Sequence, residues 1–443
     1  MMRGDIMANI KPFKAYFFNS EKVGDLSTIV SPTKYNMTDD ERNKFYDLNE
    51  YNAVRLFDGK SEPDDNEQSN KYTRSADYLY NWIENDILVQ DECDSIYLYE
   101  ETVEMNGTRY QNKTFVALLE IEDIGGDVRM CEEIREKSQN DRYELLKATN
   151  SDLSIISCLY IERNKQLLSM MNSLSRKKPD MEFESEDYGM YQRIWRVTDK
   201  SAIDRIVKLF KSEKLYITDG QTRYTTCLKY RDYMRSQNPN HTGKEPYNYT
   251  MVSLFDSNSD GVAIMPEHRK IKLPSGFNEE FFISMAQEHF KIEKIIVDEQ
   301  DDSITQTMKS QIMTKRIETK LAVYTGDNYF YRLTLTDEDY IKEKILPEMS
   351  KYYCGLDTVV LRKLIINDIF GIEDDYAELV STSISSRECA KAVKDGTADV
   401  MIALNPVKFE EIQAVTGENE KLPFRSISIF PKPSVGVFVN VKE

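Results

Sequence analysis

Histidine is nearly missing from this chain: three residues in 443, His241, His268 and His289, and no two of them stand at ligand spacing. A metal centre built on imidazoles is therefore not expected. The six cysteines (Cys93, Cys131, Cys158, Cys227, Cys354 and Cys389) are scattered without a CxxC pair. That excludes a zinc ribbon or a disulfide framework and implies reduced thiols in a cytoplasmic protein. Long hydrophobic runs are absent too. Val252–Phe255 and Leu361–Ile366 fall far short of the roughly 20 residues that cross a bilayer, and Met1–Lys14 lacks the apolar stretch of a secretory signal. Positive charge is in deficit, with a formal net charge of −18. Such a field repels nucleic-acid backbones and anionic lipid, and no basic helix-turn-helix stretch counters it. The expected partner is a small molecule, held where a few Arg and Lys converge.

Familiar catalytic signatures are missing as well. There is no HRD or DFG set, no GxSxG elbow and no GxGxxG. Gly59-Lys60-Ser61 ends like a phosphate loop, but Val54 stands where its first glycine belongs.

What is present is a folded composition, 40% hydrophobic and 30% charged, in a chain too long for one ordinary core. Helix and strand signals alternate throughout, which gives a mixed α/β fold class. Ile10–Phe18 reads as a strand. Thr38 and Glu41 form a capping box ahead of a helix. Ser95–Glu100 and Lys113–Ile121 read as hairpin strands across an Asn106-Gly107 turn. Further on, helices are expected over Tyr72–Asn85, Asp141–Thr149, Arg163–Leu174 and Ser201–Ser212, and strands over Leu153–Ile161 and Tyr191–Val197. The charged stretch Arg176–Asp187, containing Pro179, reads as an exposed connector. Leu215–Thr218 is a short strand running into a helix over Gln221–Gln237. Beyond it, Tyr249–Phe255 and Val262–Met265 read as buried strands, and Leu321–Tyr324 with Tyr329–Leu335 as a hairpin. Near the end, Ser386–Lys394 is helical, Ala398–Leu404 a strand, and a helix runs from Asn405-Pro406 to Thr416. The chain divides on this reading into units 1–123, 124–275 and 276–443.

Three places carry candidate chemistry. At Asp219-Gly220-Gln221-Thr222-Arg223, a glycine between strand and helix lets backbone N–H groups approach an anion, the helix N-terminus adds partial positive charge, and Arg223 can grip phosphate with two hydrogen bonds. Asp219 can hold a metal, accept from a ligand hydroxyl, or simply cap the helix. Glu132 and Glu133 precede a helix after a Gly-Gly break; a carboxylate there can serve as a general base or be a solvated helix start. His268 and Arg269, in Pro266-Glu267-His268-Arg269, can reach a phosphate or an acidic group, or be structural.

The string Leu215 to Tyr230, LYITDGQTRYTTCLKY, resembles the LYIADGHHRYETAL segment of a bacterial family defined by domain of unknown function 1015. Other segments match that family in order: Ile10-Lys11-Pro12-Phe13 resembles its IKPF start, Ser31-Pro32-x-x-Tyr35-Asn36 its PPYD, and Asp141-Arg142-x-x-Leu145-Leu146 its DRxxLL. Met265 to Lys270 resembles its LPTHR, and Leu422 to Lys432 its MPPKSTYFYPK. The family is related to free serine kinases and shares a ParB/sulfiredoxin-like fold, so the resemblance implies such a core within 124–275. It also implies ATP or ADP with Mg2+ as cofactors and transfer of phosphate to a small hydroxyl such as that of L-serine. Aligned on the family's PHExT motif, Glu132 becomes the candidate base. Asp219, Gly220, Gln221, Thr222 and Arg223 become the phosphate turn, and His268 and Arg269 secondary anion contacts. The family's histidines are replaced by Cys131, Gln221 and Thr222, its Asp by Asn36 and a Thr by Ile427. These replacements point to an altered substrate or to a regulatory protein that binds without turnover, because Gln and Thr cannot carry a proton as His does.

Overall fold

The structure, a computed structural model, describes residues 8–33, 37–105, 107–134, 136–185, 189–297, 301–313, 318–373 and 379–443. Asn36, Asn106 and Asp187 of the sequence reading lie outside them. The chain divides into two compact units: one comprises Met1–Met130, Ile134–Ala263 and Ile429–Glu443, the other Cys131–Glu133 and Ile264–Ser428.

The first unit is built on a nine-stranded mixed sheet. Its path runs Val128–Met130, Leu215–Asp219, Ile156–Tyr160, Tyr249–Asp256, Thr108–Glu120, Ile96–Met105, Met190–Val197, Met181–Ser185, with Ile10–Lys11 also pairing Thr108–Glu120. Two neighbour pairs are parallel, Leu215–Asp219 with Val128–Met130 and Tyr249–Asp256 with Ile156–Tyr160. Both central strands Ile156–Tyr160 and Tyr249–Asp256 are buried along their whole length, as strands covered on both faces must be. Alternate residues sort the two faces. Leu98, Phe115, Val252 and Leu254 join a core with Ile206 and Phe210 of the helix Lys200–Phe210 and Tyr224 and Cys227 of the helix Gln221–Gln237. Tyr97, Tyr99, Val116 and Met251 pack on the opposite side with Phe17, Val437 and Phe438.

Local chemistry explains the elements. Thr38 and Glu41 make the reciprocal capping box the sequence announces before Asp39–Leu48. Asp199 accepts from the Ala202 N–H and starts Lys200–Phe210, whose Ile203, Ile206 and Phe210 face inward. The expected hairpin is present and longer, Met105 pairing with Thr108 and Tyr97 with Val116. Three expectations are corrected. The Ile10–Phe18 stretch is two strands, Ile10–Lys11 and Tyr16–Phe18, with Pro12 between them and unable to donate to a ladder. The charged connector contains the strand Met181–Ser185, which pairs with Met190–Val197. Helix 405–416 begins only at Phe409, behind Lys408.

The second unit carries a six-stranded sheet in the order Phe290–Ile296, Tyr329–Leu335, Lys320–Tyr324, Val400–Ala403, His268–Ile271, Val380–Ser383, every neighbour antiparallel. Met308 and Ile312 of Asp301–Ile312 and Cys389 and Val393 of Ser386–Lys394 pack with Ala322, Tyr324 and Met401 of that sheet. The fold is mixed α/β, as its sequence pattern requires. Among the described residues, no helix is long and apolar enough to cross a membrane.

Candidate functional site

The strand Leu215–Asp219 is buried through Thr218 and hands over at Gly220 to the helix Gln221–Gln237. Gly220 has φ +87°, a conformation that suits glycine. A Cβ there would also stand 2.9 Å from Nε and Nη2 of Arg223, which folds back over the turn. Gly220 occupies the N-cap position, and among the described residues no side chain caps the helix. Asp219 is thus not the cap. Its Oδ2 accepts from Arg223 Nη2, and its Oδ1 from Lys432 Nζ at 3.1 Å. Burial opposes its charge, but Lys432 and Arg223 outweigh burial and hold the carboxyl down at about 2. Gln221 is buried and Thr222 half-buried in the first helical turn.

The other guanidinium nitrogen of Arg223, Nη1, donates to Ser154 Oγ and to the Ile155 carbonyl, both at 2.7 Å. Arg223 therefore ties the turn to the segment that leads into Ile156–Tyr160. A small recess opens beside it, lined among others by Arg142, Asp152, Ser154, Arg223, Cys227 and Thr250. Arg142 comes from the helix Glu136–Thr149. Its guanidinium stacks 4.0 Å from the Phe57 ring centroid and donates to the Phe57 carbonyl at 2.7 Å. The carboxylate of Asp141 is 3.9 Å away and is itself bonded to Lys71 and Tyr72. Burial, with a contribution from neighbouring Arg223, pushes the Arg142 pKa below its ordinary value. Two guanidinium groups thus line one recess. Cys227 is no nucleophile, since burial and Asp152 push its thiol up to about 11.

The structure brings Asp219, Gly220 and Arg223 together with Gln221 and Thr222 in the first unit. Glu132, His268 and Arg269 belong to the second. There Glu132 Oε1 accepts from the backbone N–H groups of Ser426 and Ile427, each at 2.7 Å. Ile427 contributes its main chain to that contact and buries its side chain. Arg269, in the strand His268–Ile271, is buried and donates to the carbonyls of Glu267 and Arg425. Arg425 and Ser426 are consecutive, so Arg269 and Glu132 hold the same stretch of chain. His268 Nδ1 accepts from the Leu404 N–H at 3.2 Å, and burial pushes the imidazole down to about 4, so it is neutral at physiological pH. Glu133 accepts from Arg362 at 3.3 Å.

A family model described as "Protein of unknown function (DUF1015)" matches residues 10–359. The chain belongs to this family. Among solved structures it is similar to a conserved hypothetical protein from Pyrococcus furiosus at 11% identity and TM-score 0.34, covering 74% of this chain and 95% of that one. It is also similar to a C-terminally truncated SbnI from Staphylococcus aureus at 10% identity and TM-score 0.33, covering 74% and 87%. A third is a free serine kinase in complex with AMP, at 10% identity and TM-score 0.34, covering 74% and 92%. No curated protein matches.

In this DUF1015 protein the sequence motif finds Asp219 and Arg223 but not Arg142, Lys432 or the recess wall at Asp152 and Ser154. The local signal for Arg142 is the Asp141-Arg142 pair, which reads as the start of a helix. Lys432 closes the Leu422–Lys432 match and lies 213 positions from its partner Asp219.

Proposed function

We propose that the first unit binds the phosphate of a nucleotide, ATP or ADP, in the recess beside the Asp219–Arg223 turn, and that the chain transfers a phosphoryl group to a small hydroxyl substrate such as free L-serine. The observation that carries this reading is the meeting of Arg142 and Arg223 at one recess, with Ser154 and the Ile155 carbonyl fixing the Arg223 fork. Planar guanidinium forks match phosphate oxygens, and stabilising charge on a transferring phosphoryl group is most of what such an enzyme contributes. Among the described residues no group of three His, Cys, Asp or Glu side chains is set to hold a metal. Asp219 is committed to Arg223 and Lys432. These residues do not fit a magnesium ion held by protein alone.

The test is direct. Protein incubated with ATP or ADP, magnesium and L-serine should yield O-phosphoserine, and Arg223→Ala should abolish both nucleotide binding and product. Absence of product under every donor, alongside retained nucleotide binding, would favour the second reading, a regulatory protein that binds nucleotide without turnover. One observation supports that reading: Glu132, the candidate base, spends Oε1 on two backbone N–H groups. Hydrogen bonds to a carboxylate stabilise its charged form and weaken it as a proton acceptor.

A further inference from the structure

Asp152 is a carboxylate in the wall of the recess, which sits badly with a site for anions. Its side chain is 4% exposed and fully engaged. Oδ1 accepts from Thr250 Oγ1 at 3.2 Å and from the Cys227 thiol at 3.8 Å. Oδ2 accepts from the Met251 N–H at 3.1 Å, from Asn440 Nδ2 at 2.8 Å and from Lys442 Nζ at 2.8 Å. Of these donors only Lys442 is charged. It is 1% exposed and also donates to the Tyr249 carbonyl at 2.5 Å.

The lysine arrives on the strand Asn440–Val441, which pairs antiparallel with Ser151–Asp152, and Asn150 and Lys442 exchange further bonds. This segment lies outside residues 10–359 that the family model matches. A dry ion pair is poor support for stability, because desolvation consumes most of its Coulomb gain. The neutral donors already satisfy much of the hydrogen bonding of Asp152. What Lys442 adds is charge. Without it the carboxylate would act across a low-dielectric gap on the same recess, attracting Arg223 and repelling an incoming phosphate. The Cys227 thiol, in that wall, feels Asp152 raising its pKa and both Lys442 and Arg223 lowering it, so the three charges bear on one place.

We infer that Lys442 is a positioning residue that neutralises Asp152 and so keeps Arg142 and Arg223 available to an anion. The inference rests on the reading of the recess as a phosphate site, and it identifies the device that sets the charge of that site. Calorimetric titration with ADP tests it in wild type and four variants, each checked for folding by circular dichroism. Lys442→Met should weaken binding about tenfold, and Lys442→Arg, which keeps the charge, should bind as wild type does. Asp152→Asn alone, a near-isosteric change, should bind ADP more tightly. The double variant Asp152→Asn/Lys442→Met, with both charges gone, should recover to within about threefold of wild type. A role confined to packing predicts instead that the double variant is no better than Lys442→Met. That result, or an Asp152→Asn protein that binds no tighter than wild type, overturns the inference while the phosphate site stands. Wild-type protein that ignores ADP removes the phosphate site itself.

Discussion

At the scale of single residues, the ionisable groups of the interior do opposite things for reasons that their neighbours supply. Asp219 keeps its charge because two cations meet it. Glu101, fully buried on the strand Ile96–Met105 opposite Asn112, meets none of its own. Asn112 Nδ2 approaches Glu101 Oε2 at 3.4 Å, while Glu101 Oε1 and Asn112 Oδ1 have no hydrogen-bond partner among the described residues. Burial pushes the Glu101 carboxyl up to about 8, against smaller opposing effects of Tyr99 and Asn112. A protonated Glu101 can donate to the Asn112 amide oxygen and satisfy both atoms. Its folded pKa lies above the usual 4.5. The folded state therefore holds the proton more tightly, and this contribution is full below about pH 4.5 and is lost as pH rises toward about 8. Glu101→Gln should remove that slope and stabilise the protein at about pH 8 by on the order of 1–3 kcal/mol. Urea midpoints at about pH 5 and about pH 8 measure it, and an unchanged slope contradicts it. None of this was legible in the sequence, where Glu100-Glu101 reads as an ordinary acidic pair. Alternation sends one side chain to Arg193 and Lys113 and the other inward, and strand register decides which.

At the scale of elements, the strand–glycine–helix junction is where sequence reading did best, because everything needed lies within five consecutive residues. Gly220 is required twice, by its positive φ and by the Arg223 guanidinium lying over it. Gly220→Ala is expected to cost about 1–3 kcal/mol in the denaturant midpoint and to swing Arg223 away from Ser154. ADP binding should fall more steeply than stability. A variant with native affinity would show that the turn does not position the guanidinium. Sequence reading failed where a partner decides the conformation. Met181–Ser185 is alternately half-buried and exposed in a charged stretch, and only pairing with Met190–Val197 makes it a strand. Arg142, likewise, is one helical arginine among several until Phe57 and Arg223 are placed around it. Such partners lie far away in sequence, beyond any local signal.

For the whole molecule, a chain of net charge −18 carries a recess on which cationic side chains converge. On the proposed reading the long-range field slows an anionic ligand while the local charges hold it, and salt screens the two unequally because the residues lining the recess are mostly buried. Raising salt from low concentration to about 0.5 M should therefore leave the ADP association rate unchanged or faster and raise the dissociation rate only modestly. Stopped-flow binding separates the two rates, and a collapse of affinity by orders of magnitude would place the ligand on an exposed surface. Of the residues that the sequence motifs single out, Asp219 and Arg223 belong to one unit and Glu132, His268 and Arg269 to the other. Sequence order cannot show this, because Ile429–Glu443 rejoins the first unit only after the second has been traversed.

That return has a consequence for biosynthesis. A nascent chain halted at residue 428 already contains all nine strands of the large sheet, Arg142 and Arg223, yet it lacks Lys432 for Asp219 and Lys442 for Asp152. Growing polypeptides should thus acquire the β-framework of the first unit before the two lysines that meet its buried carboxylates.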